Sequence, residues 1–492
     1  MKEKLAKGVF WLGLSRITVN LLALCSTLVL ARLLTPQDFG LVALATTLLT
    51  IITSMTEMSL AAALVHHQAP TEQHFQTAWT MNFLRAILIA AIFLALTPVA
   101  IHFYHEPRLN NIMPVIALSI LISGLTNPKT TYMTKNLVFW QEFAVASSQK
   151  LAGFIVSVAI AYFYQSYWAL VASPIAFQLS GVIVSYLIVP FRPKFNLSHF
   201  KDLASFSIWL TFAQMVNVLN WKLDHLLVGR YLGPSVMGHY TVGDNLANLA
   251  TTEVTSPIQA TLFPSFTQLV HDPERIQRAY QTAQATLFAV SFPIGVGFAL
   301  ISPTFVLLAM GEKWMPAVTI IQVIAVTVAS LQFSSVARPL SMAKGKTKLI
   351  FYRDMLGFSV RVPLIVAGLY FGGLSGILLG RALATIVTIF INMLIVKNLI
   401  AISLGSQFIN NSRTLISCMA MAAGVLFLEN KLGTGGTTSE LFFKLIAFVI
   451  SGGLIYLCTH FSLWFLVKKP NGPEKEIMAL FSKLLRKIRP SA

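Results

Sequence analysis

Polar and ionisable residues stand inside stretches that are otherwise apolar enough to cross a membrane. Gln214, Asn217, Asn220 and Asp224 are spaced three, three and four residues apart, which places them on one face of a helix. After a break at Leu232-Gly233-Pro234, Asp244, Asn245, Asn248 and Thr252 make a similar stripe. Arg16 and Asn20 lie one turn apart near the start of the chain, and Glu57, Lys222, His225, Glu253, Arg361 and Arg381 complete the set. A charge at bilayer depth costs roughly 2.5–3.5 kcal/mol on insertion scales, so each of these groups should face a cavity or a partner. The chemistry they offer is that of a transport cavity. Guanidinium groups bind phosphate through paired hydrogen bonds, and carboxylates bind a coupling ion or balance charge. The competing reading is that several of them are salt bridges between helices. Lys222 and Asp224 point to different faces and cannot pair in a regular helix. Arg85 and Lys150 read as groups near span ends that reach for headgroups. Trp79, Trp168, Trp209, Trp221, Trp314 and Trp464 read as interface belts, with Trp221, one turn from His225, as a candidate cavity wall.

Enzyme signatures are thin. There is no Gly-rich phosphate loop ending in Lys-Ser/Thr, and His66-His67 lacks the carboxylate spacing of a zinc site and reads as a cap on the second span. Cys25, Cys418 and Cys458 lie far apart in apolar segments and suggest neither disulfides nor a metal site. No cofactor is expected.

The elements that must position these residues are membrane helices. The 492 residues are 55% hydrophobic and 11% charged, with mean hydropathy +0.71. That is the composition of a polytopic membrane protein. A span takes about 20 residues, and the apolar runs divide into about 14, from about 9–32 to about 441–467, the third at about 79–104 and the ninth at about 282–308. Short turns at Pro36, Pro234 and Gly372-Gly373 mark one side. Longer charged connections, Phe191 to Lys201, His271 to Tyr280 and Arg338 to Arg353, mark the other. The formal net charge of +18 sits mostly in those connections and the two termini. That asymmetry places both termini in the cytoplasm and makes nucleic acid an unneeded explanation for the charge. From Lys468 to Arg489 the tail is basic, with apolar residues at helical spacing, as in an amphipathic helix on the inner leaflet.

The chain also repeats itself. Leu28 to Gly40 and Leu226 to Gly238 align at one constant offset that superposes Arg32 on Arg230, Pro36 on Pro234 and Gly40 on Gly238. Farther on, Tyr162-Phe163 corresponds to Tyr370-Phe371. The expected architecture is all-α: two pseudo-symmetric six-helix lobes, 1–200 and 201–400, two further helices in 401–467, and the tail 468–492. Repeats of this kind build transporters around a site near the midplane, expected here at a cavity lined by spans 1, 2, 7 and 8. Gly372, Gly376 and Gly380 form a small-residue row suited to helix packing.

Leu30-Ala31-Arg32-Leu33-Leu34-Thr35-Pro36-Gln37-Asp38-Phe39-Gly40 resembles the first-helix signature of bacterial polysaccharide exporters. So do Leu262-Phe263-Pro264-Ser265-Phe266, Asp272-Pro273-Glu274-Arg275 and Gly311-Glu312-Lys313-Trp314. Together they look like the Wzx-type O-antigen and colanic-acid flippases of the multidrug/oligosaccharidyl-lipid/polysaccharide superfamily. The resemblance covers nearly the whole chain. It implies a two-lobed bundle in the bacterial inner membrane that alternately faces cytoplasm and periplasm and exports undecaprenyl-diphosphate-linked oligosaccharide. Membrane lipids are the expected surroundings, and a glycan polymerase and chain-length proteins are the implied protein partners. Two rivals are weighed against it. An ion-coupled exporter of cationic drugs would call for a negative cavity, whereas the cationic and His positions outnumber the acids. A membrane glycan polymerase or ligase would need a large outward loop, and the longest is only about Asn430 to Glu440.

Overall fold

The computed structural model describes residues 2–56, 64, 70–130, 140–200, 208–433 and 435–467. Glu57, His66-His67 and the basic tail lie outside the described residues. The helices, in order, are α1 (Lys2–Leu33), α2 (Pro36–Met55), α3 (Glu72–Ala95), α4 (Thr97–Tyr104), α5 (Leu109–Gly124), α6 (Trp140–Tyr164), α7 (Trp168–Ile188), α8 (Ile208–Leu269), α9 (Pro273–Ala309), α10 (Pro316–Leu331), α11 (Ala337–Ala343), α12 (Thr347–Ile400), α13 (Leu404–Leu432) and α14 (Thr438–Leu466). Among the described residues, nine of these helices are long and apolar enough to cross a membrane. The chain is an all-α, multi-pass membrane protein.

Local chemistry sets the breaks. Thr35 ends α1 and starts α2 with a reciprocal cap. Its hydroxyl accepts from the Asp38 amide, while the Asp38 carboxylate accepts from the Thr35 amide at 2.9 Å. Pro36 then occupies a first-turn position that has no use for an N–H. In the second copy of the motif Gly233 stands where Thr35 stands in the first, and the break is made differently. Gly233 takes φ 82°, a left-handed conformation that a side chain would resist, and interrupts the 62-residue α8. Gly373, at φ 54°, breaks the 54-residue α12 in the same way.

Two of the expected connections are helical. Asp272 caps the Arg275 amide at 3.0 Å, with Pro273 next, so α9 begins well before the expected ninth span and the stretch from His271 to Tyr280 is mostly its first turns. Arg338 to Arg353 holds α11 and the start of α12 rather than a loop. Charge kept these segments out of the hydropathy reading, although an aqueous extension of a spanning helix is free to be charged. Residues 190–197 do form an extended connection, fixed to α3 by the Asn196 amide donating to the Thr80 hydroxyl at 3.0 Å.

The chain divides into two compact units, Met1–Val242 and Gly243–Ala492. In the first, α6 packs on α7 and α1, and α3 on α5. Leu30, Leu34, Ala161 and Ala169 form one core cluster, and Phe75, Trp79 and Phe191 belong to another. In the second, α9 packs on α10, α13 and α14, and its cores gather around Tyr280, Phe288 and Met421. Trp79, Trp314 and Trp464 are buried in this packing rather than standing in a lipid-facing belt.

The two copies of the Pro-x-x-x-Gly motif touch each other within the first unit. A Cβ on Gly40 would overlap the Pro234 carbonyl, and one on Gly238 would overlap the Pro36 carbonyl. Backbone lies on backbone, reciprocally. The duplicated signature is thus a packing device, not only a pair of turns. In the α12 region Gly376 and Gly380 likewise press on the backbone of the facing half, at Gly368 and Leu364, while Gly372 stands in open space.

Candidate functional site

Two buried carboxylates flank the Gly233 break. Asp224 is wholly buried on the first half of α8. Its Oδ2 accepts from the Tyr240 hydroxyl at 2.7 Å, and its Oδ1 accepts from the His225 backbone N–H at 3.0 Å, with the His225 ring Nδ1 3.1 Å away. Tyr240 stands on the second half of α8, so the hydrogen bond ties the two halves together across the break. The Tyr240 ring also meets the His225 ring edge-on at 5.1 Å. A carboxylate held by this many donors is fixed in position as well as satisfied.

Asp244, in the second unit, has a different partner. Arg381 on α12 donates from Nη2 to Asp244 Oδ1 at 2.8 Å, and both side chains are nearly buried. Asn248, one turn along, donates to the Asp244 carbonyl at 2.8 Å, and Thr252 to the Asn248 carbonyl at 2.6 Å. That part of the predicted stripe is therefore occupied with its own helix backbone. Arg361 is also buried, on the first half of α12.

The remaining predicted residues scatter in exposure. Arg16, Asn245 and Glu253 are exposed, and Asn20, Asn217 and Lys222 are half-buried. Asn217 accepts from the Trp221 indole N–H at 3.1 Å, which makes Trp221 a neighbour of the polar face as expected. Arg85 and Lys150 differ from the reading of span-end snorkelling, because both stand well inside their helices. Arg85 donates to the Thr53 carbonyl at 3.1 Å, near the C-terminal end of α2, where a cation suits the helix dipole. The Lys150 ammonium lies 5.5 Å from the Phe177 ring centroid and lines a cavity of about 190 Å³ with Ser26, Thr27 and Ser173.

A second cavity, of about 500 Å³, is an apolar groove within the second unit, formed by α8, α9, α13 and α14. Ala250, Pro293, Phe298, Met421, Gly453 and Tyr456 line it. The one phenol among these six donates to the Ala289 carbonyl at 2.7 Å, which leaves its ring edge to the groove. Sequence reasoning missed the groove because every residue in it is an ordinary span residue. It missed Tyr240 because helical periodicity cannot be carried across a glycine break. The pairing of Asp244 with Arg381 has no sequence signal short of a contact map.

Comparison with known proteins places this geometry. Residues 29–319 match a family described as "Polysaccharide biosynthesis protein". The lipopolysaccharide biosynthesis protein WzxC of Escherichia coli (strain K12) is 24% identical over 395 residues, 79% of this chain and 80% of that protein. The teichuronic acid biosynthesis protein TuaB of Bacillus subtilis (strain 168) is 23% identical over 99% of both chains. Among solved structures, the lipid II flippase MurJ in an inward closed conformation superposes with a TM-score of 0.71, covering 94% of this chain and 99% of that one at 13% identity. At that identity the likeness is one of fold.

Proposed function

We propose that this chain, which belongs to the polysaccharide biosynthesis protein family, flips a lipid-linked oligosaccharide across the membrane by alternating access. The substrate is a glycan on undecaprenyl diphosphate, moved from the cytoplasmic to the periplasmic leaflet of the bacterial inner membrane. No bond is made or broken, so the protein is a transporter and not an enzyme. The observation that carries this reading is the apolar groove of about 500 Å³ beside α13 and α14. A cargo with a long polyprenyl chain needs an apolar path for the chain as well as a polar one for the glycan. In the same unit, the buried Arg361 carries a guanidinium group suited to a diphosphate, while Arg381 is engaged with Asp244 and would meet the cargo only by exchanging that partner. Arg16, Asn20, Asn217, Lys222, Asn245 and Glu253 are the proposed polar contacts for sugars. The positive-inside bias supports cytoplasmic termini, with 433–439 in the periplasm.

Cells lacking the gene should accumulate lipid-linked oligosaccharide on the inner leaflet and lose surface glycan, and the wild-type chain should restore both. Gly453→Phe tests the groove. The space around its Cβ is open, so the ring should fill the groove without disturbing the fold, and export should fall at normal protein level. Full export by that variant overturns the groove as the lipid path. For the orientation, a cysteine at Thr437 should label with an impermeant thiol reagent in spheroplasts, and one at Lys346 should not.

A further inference from the structure

The cavity around Lys150 in the first unit combines one cation, hydroxyls whose hydrogens are already committed, and two aromatic rings. Its volume is about 190 Å³, and α1, α6 and α7 form its walls. Other cations of this unit have carboxylate partners, Lys129 with Glu72 and Arg108 with Glu106. The Lys150 ammonium has none among the described residues. It stands 5.5 Å from the centroid of the Phe177 ring. A cation that faces a cavity at membrane depth without a counter-charge is costly, so an anion is its natural partner.

Two lining hydroxyls decide which anion. Thr27 Oγ1 donates to the Ala23 carbonyl at 2.9 Å, and Ser173 Oγ donates to the Gly153 carbonyl at 3.1 Å. A carbonyl can only accept, so each hydroxyl hydrogen is committed to backbone and each oxygen is left as an acceptor. A bare phosphate is all acceptors and gives these oxygens nothing. A sugar acid gives them its hydroxyl hydrogens and offers its carboxylate to the ammonium. Phe154 and Phe177 add rings whose electron-rich faces suit the C–H face of a pyranose. The cavity is smaller than the roughly 300 Å³ at which pockets begin to take drug-sized ligands, so it suits one ring of a glycan. It also lies on the face of α1 that carries two of the proposed sugar contacts. Arg16, Asn20, Ala23 and Thr27 are spaced four, three and four residues apart, and the last two line the cavity. We propose that the Lys150 cavity is a subsite for an acidic sugar of the hexuronate class, and hence that the cargo glycan is anionic. Lys150 meets the carboxylate, while Thr27 and Ser173 accept from the ring hydroxyls. The assignment rests on the flippase reading for its cargo, but the preference of the cavity is measured without transport.

The test uses the full chain in lipid nanodiscs and saturation-transfer NMR at one ionic strength. The probes are methyl β-glucuronide and methyl β-glucoside, with inorganic diphosphate as competitor. The glucuronide should bind saturably and about tenfold more tightly than the glucoside, as one charge-assisted hydrogen bond would provide. Equimolar diphosphate should leave it in place. Lys150→Met removes a charge that has no counter-charge, so the variant should fold. It should bring the glucuronide down to the level of the glucoside. Ser26→Leu keeps the charge but fills the cavity, and it should abolish binding of both. Equal signals from the two glycosides overturn the subsite. So does a glucuronide preference that either variant retains, or displacement of the glucuronide by equimolar diphosphate. None of these results bears on whether loss of the gene strands lipid-linked oligosaccharide on the inner leaflet, so the two readings fail separately.

Discussion

Asp224 and Asp244 lie on the two sides of the Gly233 break, both buried, and are satisfied by opposite means. Asp224 is met by a phenol, a backbone amide and an imidazole nitrogen; Asp244 is met by a guanidinium. In the first arrangement hydrogen bonds from both halves of α8 hold the carboxylate in place. The second neutralises two charges against each other and binds α8 to α12, so either charge left alone would be stranded in an apolar bundle. A carboxylate at membrane depth is therefore not one kind of feature. Its partner decides whether it braces one helix across a break or clasps two helices together.

The largest effect should come from breaking the clasp. Arg381→Ala leaves Asp244 buried without its guanidinium, and stability should fall by about 3–5 kcal/mol. The drop should appear as loss of folded protein from the membrane. Arg381→Met combined with Asp244→Leu should recover most of that loss, since an apolar pair of similar volume is tolerated where a lone charge is not. Failure of the double variant to recover would mean that the pair does more than hold helices.

Asp224→Asn comes next. It keeps shape and can still accept, so the cost should be about 2 kcal/mol or less, and the protein should reach the membrane near its normal level. Export of surface glycan should fall if the charge acts in the cycle. An inside-negative potential gives about 2.3 kcal/mol per charge per 100 mV, which is the drive a proton-carrying carboxylate in the cycle would draw on. Normal export by this variant would remove the charge from the mechanism. Tyr240→Phe should cost about 1 kcal/mol, measured by thermal unfolding. It should affect export less than Asp224→Asn does, because the carboxylate retains His225.

Glu106 marks the small end of the comparison. It lies in the turn between α4 and α5 and accepts two bonds from Arg108, at 2.8 and 2.9 Å. That hydrogen bonding holds its carboxyl below the usual range. The stabilisation is present in full above the unfolded value of about 4.3 and is lost as pH falls through the lower, folded value. Arg108 is partly exposed, so Glu106→Gln should cost only a fraction of 1 kcal/mol at neutral pH. It should match the wild type once acid has protonated Glu106, as pH-dependent unfolding would record.

Much of this was legible in the chain. The break at Gly233, the cap at Thr35 and the duplicated Arg-Pro-Gly spacing are local, and local chemistry writes itself into sequence. The stripe from Asp244 was legible as a helical face but not as a contact, because its decisive partner is 137 residues away. Lys150 was misplaced for a related reason. A lysine inside an apolar run reads as a span end until the cavity it lines is seen. The early start of α9 was there to be read in Asp272-Pro273, but hydropathy ranks such charged turns as loop.

The reciprocal contact of Gly40 with Pro234 and Gly238 with Pro36 has a kinetic side. No side chain stands between the two backbones, so no rotamer has to be chosen for the two surfaces to meet. Alanine at either glycine would wedge this joint, and because the joint reads one motif against its own copy, a change in one half could be answered only from the other. Duplication thus left the chain with two inherited surfaces that can drift only together.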